Sequence, residues 1–457
     1  MTPSRPISAH DTAAKKLLVE LYNVATSAVD PGPALECRLL SLAPEPDRRL
    51  WILALGKAAL PMARCAVGVV GRWGFHPVGG LIVPPESGAS PHPAIASVPG
   101  DHPEPGTGSL AAADALGAVA GRVQPDDRVW VLLSGGTTSL IGAPVEGLSP
   151  AELSAIYALL LSSGLDITAM NRIRKRFSRW GGGRLAQALA PAEVRVFVVS
   201  DVIGDDLASI GSGPCVPDPT TASEVRRHLE DAALWDRIPH SARKQVAAAA
   251  AGERPETPKP GNQAFARVTL ELIASNRLAI EAAAKRAAEL GLVPVLAETP
   301  IAGEASAAGA SVAAGLLHNC VQDTIPQHEA GAGRCFIWGG ETTVSLGPSP
   351  SGLGGRCQEL ALAAARRLAG APEGLALLAA GTDGRDGPTD AAGAIVGGST
   401  WSSIAAAGRD PARDLAAHDA YHALDAAGAL LRPGLTGTNV MDVVIGICPT
   451  SQAPGAS

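Results

Sequence analysis

The chain reads as an α/β protein of two domains: an N-terminal Rossmann-like, doubly wound parallel sheet and a C-terminal α/β domain. Three observations carry that expectation. Apolar runs such as LWILAL (50–55), VWVLL (129–133) and VRVFVVS (194–200) each empty into a turn rich in Gly, Ser or Asp and then into a helical pattern. Strand, loop and helix repeated in this way build parallel βαβ units. A length of 457 residues suits two to three domains. Finally, GERPETPKPGNQ (252–263) is rich in Pro, Gly and charge and carries no hydrophobic period. It predicts a linker over 253–263 between domains at 1–252 and 264–457, with the last strand free to return to the first domain.

Composition narrows the function classes. Hydrophobic residues make up 46 % and charged residues 18 %, and 44 acidic against 37 basic side chains give a net charge of −7. Such an acidic surface offers no broad basic face for nucleic acid or anionic membrane, although local Lys and Arg can still capture small anions. The seven cysteines include no C-x-x-C pair, and the ten histidines no H-E-x-x-H. Structural disulfides, structural zinc and a zincin site are therefore not expected. His418 and His422, four apart, are read as a helix face. The first residues lack a signal-peptide layout, Asp11 and Glu20 argue against a transit peptide, and no apolar run reaches membrane-spanning length. A cytoplasmic protein, monomeric or homodimeric, is expected.

In chain order, Leu17, Leu18, Leu21, Val24, Ala25 and Ala28 recur at helical spacing and predict an amphipathic helix packed on the first sheet. The strand at 50–55 runs into Gly56 and Lys57 at a helix start, where unpaired N–H groups and a lysine suit a phosphate or carboxylate. After a strand at 79–84 comes GDHPEPGTG (100–108). Gly106, Gly108 and Ala111 match G-x-G-x-x-A, but no strand precedes them, so the match argues weakly for a dinucleotide. The strand at 129–133 opens into Ser134, Gly135 and Gly136, a natural oxyanion nest. Ser149-Pro150-Ala151-Glu152 is a capping box and starts a helix. Six cations lie between 171 and 186, among them Arg174 and Lys175, and form either a solvated face or an anion site. The strand at 194–200 ends on Asp201 and Asp205.

Beyond the linker the pattern predicts a long helix over 264–290, a strand at 293–297, a helix from 304 and a strand leading to Glu341. Arg356 follows on a glycine turn at a helix start. The apolar run at 375–378 then empties into GTDGRDGPTD, bringing Thr382, Asp383, Asp386 and Asp390 to a strand end, where open α/β sheets bind ligands. Asp383 and Asp386 are expected to face inward and Asp390 to cap a following helix. A helix around His418 and a strand at 439–448 close the chain. Carboxylates to hold Mg²⁺ or take a proton, with Lys, Arg and backbone N–H groups to offset developing charge, fit phosphoryl transfer. No Walker A motif is present.

Eight segments in order resemble the type-2 glycerate kinases: GKAA at Gly56, SGG at Ser134, N-x-x-R-K with GGRLA at 171–186, SDVIGDD-x-x-x-I-x-SGP at 200–214, GGETTV at Gly339, GGR-x-QE at Gly354, GTDG-x-DGPTDAAGA at Gly381 and TGTNVMD at Thr436. The resemblance implies two α/β domains with the active site in the cleft between them, ATP and D-glycerate as substrates, Mg²⁺ as cofactor and glycerate 2-phosphate as product. It puts the cleft lysine and arginine on Lys57 and Arg356. Lys57, Arg356, Asp201 and Asp386 are accordingly expected to be catalytic. Ser134, Gly135, Gly136, Arg174, Lys175, Asp205, Glu341, Thr382 and Asp383 are expected to bind substrate, and Asp201, Asp205 and Asp383 to bind metal. The chain departs from the family pattern at Arg176, Gly181, Cys357 and Thr137, which bears on substrate detail more than on reaction class. Two rival readings remain: an NAD(P)H-dependent hydroxypyruvate reductase and a non-catalytic metabolite-binding protein.

Overall fold

Four apolar runs in the first half of the chain form largely buried strands because β-branched and bulky apolar side chains fill both faces of a covered sheet, and a short fifth strand lies at its edge. They are β1 (Leu50–Leu55), β2 (Gly79–Val83), β3 (Ile95–Ser97), β4 (Arg128–Leu133) and β5 (Glu193–Val199), and β6 (Val268–Ala274) adds an edge. The sheet runs β3-β2-β1-β4-β5-β6, with β1 to β5 mutually parallel. This is the doubly wound order, and the direction in which strands are added across the sheet reverses between β1 and β4. The computed structural model describes residues 9–321, 333–347 and 352–449.

The second sheet has β7 (Val293–Leu296), β8 (Arg334–Gly340), β9 (Ala376–Gly381), β10 (Gly393–Gly397), β11 (Leu430–Leu431) and β12 (Asp442–Cys448), in the order β11-β10-β9-β12-β8-β7. Only β7 and β8 pair in parallel, while β8, β12, β9, β10 and β11 pair antiparallel. The expected α/β character holds, but this sheet is mixed. β12 is central to it and does not return to the first sheet.

The chain divides into residues 31–273 and residues 1–30 with 274–457. This differs from the expected boundaries at three places. The first helix (Ala9–Ala28) packs on the helix Asn276–Glu289 and on β9 and β12 of the second sheet, not on the first. The polar stretch 253–263 lies inside the 31–273 unit, because its side chains are spent on that unit. Thr257 is buried and donates to Asp218 at 2.8 Å, and Glu256 takes the Ala222 N–H and pairs with Arg176. The predicted helix over 264–290 is a strand, β6, followed by the helix Asn276–Glu289. Val268, Leu270 and Leu272 alternate with polar residues, and Ser275 caps the helix by accepting from Leu278 N.

Cys320 and Cys448 form a disulfide with Cα atoms 5.6 Å apart, against the expectation of none. Scattered spacing concealed a pair separated by 128 residues. Among the described residues no helix is long and apolar enough to cross a membrane.

Candidate active site

At the β1/β4 reversal of the first sheet, two turns leave neighbouring strands side by side. Lys57 N–H donates to Gly135 O at 2.9 Å, and Ala58 N–H donates to Ser134 Oγ at 3.0 Å. The Ser134 hydroxyl is thus buried as the brace between the turns, a positioning part for a residue expected to touch substrate. Asp201, at the end of β5, lies against the second turn. A Cβ at Gly135 would stand 1.8 Å from Asp201 Oδ2, so only glycine permits this approach. A Cβ at Gly136 would be 3.2 Å from Lys57 Cγ and 3.1 Å from His102 Cδ2, which places both side chains beside the nest.

These groups share a field. Burial raises the Asp201 carboxyl and the Lys57 ammonium opposes that shift. Partial burial, and then Lys57, lowers the His102 imidazole. A carboxylate raised toward neutrality beside an ammonium suits proton acceptance next to a bound anion. His102 was missed because it sits in a proline-rich loop more than 30 residues in sequence from both Lys57 and the Gly135–Gly136 nest. The Gly106 match nearby is no dinucleotide turn: Asp101 Oδ2 already accepts from Ser109 N at 3.0 Å at the start of the helix Thr107–Ala120.

Most of the basic run is structural. Lys175 and Arg176 are buried. Arg184 ties off the helix Ile167–Phe177 by donating to the carbonyls of Lys175 and Ser178 at 2.7 and 2.9 Å, and Arg179 bonds Asp114. Arg174 differs. Its guanidinium lies 5.2 Å over the Tyr157 ring and lines a cavity of about 310 Å³ that also touches Gly136 and Asp201. Asp205, with φ of 54°, stands in the loop after Asp201.

In the other unit, Arg356 begins the helix Arg356–Leu368 and is locked by carboxylates. Nε and Nη2 donate to the two oxygens of Asp442 at 2.6 and 2.9 Å, and Nη1 pairs with Glu341 at 2.8 Å. Three of the five guanidinium N–H groups are thereby engaged. Asp442, 1 % exposed, is held through its backbone carbonyl, which accepts from Asn276 Nδ2. The motif TGTNVMD contained it, yet nothing local marked it as the partner of Arg356.

The aspartate loop divides its labour differently from expectation. Asp386 does not face an open site. It is 4 % exposed and caps the Arg356 helix, accepting from Cys357 N at 3.1 Å and Gln358 N at 2.7 Å, an approach that a Cβ on Gly355 would block. Thr382 is also buried, bonded to Met441 O and Val440 N. Asp390 caps no helix, since β10 follows; it is exposed and bonds Tyr421 and Arg432. Asp383 is half-buried and accepts from Arg385 N. His418 and His422 do not share a helix face, because His418 has φ of 55° and bonds Glu359 whereas His422 bonds Asp419. Among the described residues no group of three or more His, Cys, Asp or Glu side chains that could hold a metal ion is found.

Asp386 supplies a pH test. Burial pushes its carboxyl up to about 7, against the opposing Gln358 and Cys357 N–H bonds. Its unfolded value is about 3.9. Between those values the folded state binds more protons than the unfolded one, so this contribution to stability is complete below about pH 4 and is lost as pH rises to about 7. The melting temperature of the native protein minus that of Asp386→Asn is therefore expected to fall between pH 5 and pH 8, by at most about 4 kcal/mol in stability. A constant difference would exclude it.

Comparison with known proteins supplies an independent line. Residues 17–247 match a family described as a domain of unknown function (DUF4147), and residues 334–442 match the MOFRL family. The glycerate 2-kinase of Pyrococcus horikoshii is 36 % identical over 410 residues, covering 88 % of each chain. A putative hydroxypyruvate reductase of Agrobacterium vitis is 36 % identical over 95 % of this chain and 94 % of its own. The crystal structure of glycerate kinase from Thermotoga maritima superposes with a TM-score of 0.83 at 35 % identity, covering 96 % of this chain and all of that one.

Proposed function

The chain belongs to the glycerate 2-kinase family, and we propose that it transfers the γ-phosphoryl group of ATP to the 2-hydroxyl of D-glycerate, giving 2-phosphoglycerate. The observation that carries the reading is the braced pair of turns at the β1/β4 reversal, with Lys57, the Gly135–Gly136 nest and the Asp201 carboxylate together. Phosphoryl transfer needs little covalent help from a protein, and positioning and charge do most of the work. The Lys57 ammonium and the nest N–H groups take up charge spreading over the transferred group. Asp201, raised by burial, accepts the hydroxyl proton. The neutral His102 imidazole beside Lys57 hydrogen-bonds a phosphoryl oxygen. Arg356 offers its two remaining N–H groups to the glycerate carboxylate, and Asp442 and Glu341 fix the plane of the guanidinium. Asp383 contacts the substrate hydroxyls. Ser134, Thr382 and Asp386 hold the loops, and Lys175 is buried.

Mg²⁺ held through substrate phosphates asks for only one or two protein carboxylates. Asp205, in the loop that follows Asp201, fits that donor set, and the bound ion would neutralise phosphate charge.

The deciding assay supplies D-glycerate and ATP with enolase and no phosphoglycerate mutase. Phosphoenolpyruvate is expected, since enolase accepts only the 2-phosphate. ADP without phosphoenolpyruvate would move the phosphoryl group to the 3-hydroxyl. NADH or NADPH oxidation with hydroxypyruvate, and no ATP consumption, would replace the kinase by the reductase, and neither signal would leave a binding protein.

A further inference from the structure

We propose that the cavity walled by Tyr157, Arg174 and Asn171 seats the purine base of the phosphoryl donor. The proposal rests on the kinase reading and adds where the nucleoside lies and which base suits it.

Position comes first. Gly136 and Asp201 line the cavity together with Tyr157 and Arg174. A triphosphate whose terminal groups meet the Gly135–Gly136 nest therefore extends into this space. Size agrees. The cavity of about 310 Å³ reaches the lower end of the roughly 300–1,000 Å³ range of ligand pockets, enough for a nucleoside and several times what a three-carbon acid fills.

The walls then select a flat, mostly apolar ligand with polar edges. Pro105, Ala158 and Leu161 are apolar, and Leu161, at the end of the helix Pro150–Leu161, is 62 % exposed. The Arg174 guanidinium lies 5.2 Å over the Tyr157 ring, and a planar guanidinium or phenol face stacks well on a base. Two of the buried side-chain polar atoms that lack a hydrogen-bond partner among the described residues belong to this wall, Tyr157 Oη and Arg174 Nε. Such atoms cost free energy until something bonds them. The buried Asn171 carboxamide presents a donor and an acceptor, the pair that reads the N6/N7 edge of adenine. A hydroxy acid in the same space would meet Arg174 and leave the apolar walls bare.

The full-length protein with Ala158→Trp tests this. Ala158 is exposed on its helix and lines the cavity, so an indole there fills the space without entering the core. Ser154→Trp, also exposed and lining, serves as an independent second variant. Both are expected to raise the ATP dissociation constant, measured by calorimetry, and the KM for ATP at least tenfold, with the glycerate KM unchanged within twofold. The native protein is expected to prefer ATP over CTP and the variants to lose that preference. An unchanged ATP dissociation constant in both variants, or a rise in glycerate KM in place of ATP KM, overturns the proposal. A native protein that binds ATP yet never phosphorylates glycerate overturns the kinase reading instead, and the binding comparison still decides the cavity.

Discussion

Replacing Lys57 by alanine is expected to lower kcat for glycerate-dependent ATP consumption at least a hundredfold, about 2.7 kcal/mol of transition-state stabilisation. The loss should fall on kcat more than on either KM, because the ammonium does most where charge spreads during transfer. The fold should survive. The Lys57 side chain is exposed, and the contact that braces the two turns uses its backbone N–H, which alanine keeps. The same substitution removes the charge that opposes the burial shift on Asp201 and adds to the lowering on His102. The acidic limb of the pH–rate profile is thus expected to move to higher pH in whatever activity remains. Near-normal turnover would remove Lys57, and with it the whole β1/β4 site, from the chemistry.

Arg356→Ala is expected to abolish measurable activity and, unlike the lysine variant, to destabilise the protein. Removing the guanidinium strands Asp442 as a buried, unpaired carboxylate, and breaking a buried pair from one side typically costs about 3–5 kcal/mol. The double variant Arg356→Ala/Asp442→Ala separates the two effects. Its melting temperature should recover most of the way, since no buried charge is left alone, while glycerate turnover stays absent. If activity returned along with stability, Arg356 would be a structural residue only. Arg356→Lys should likewise fail, because a single ammonium cannot satisfy both Asp442 oxygens and Glu341.

Much of the fold was readable because its signals are local. Apolar runs ending in turns rich in Gly, Ser or Asp, and the Ser149–Glu152 capping box, predicted β1, β4, β5 and the helix Pro150–Leu161, and both box hydrogen bonds are formed. Where signals depend on distant partners, expectation and structure parted. A run of cations looks the same whether it faces solvent or, like Arg184, is folded onto the carbonyls of the preceding helix. An aspartate after a strand looks the same whether it is an open ligand-facing group or, like Asp386, the cap of a helix that begins 30 residues earlier in the chain. Polar composition at 253–263 suggested a linker because sequence shows how many polar groups there are and not whether they are already paired.

By itself, then, the sequence determined the parallel Rossmann-like sheet, the turns at Lys57 and Ser134, the carboxylate at Asp201 and, through eight ordered motifs, the kinase family. Each is a matter of residue type and short-range spacing. Tertiary structure alone decided that Asp442 and Glu341 hold Arg356, that His102 joins Lys57 beside Gly136, that the first helix covers the second sheet, and that Arg174 and Tyr157 wall a cavity. These are meetings between residues dozens to hundreds of positions apart. They are made when apolar faces are buried together, and no local pattern encodes them.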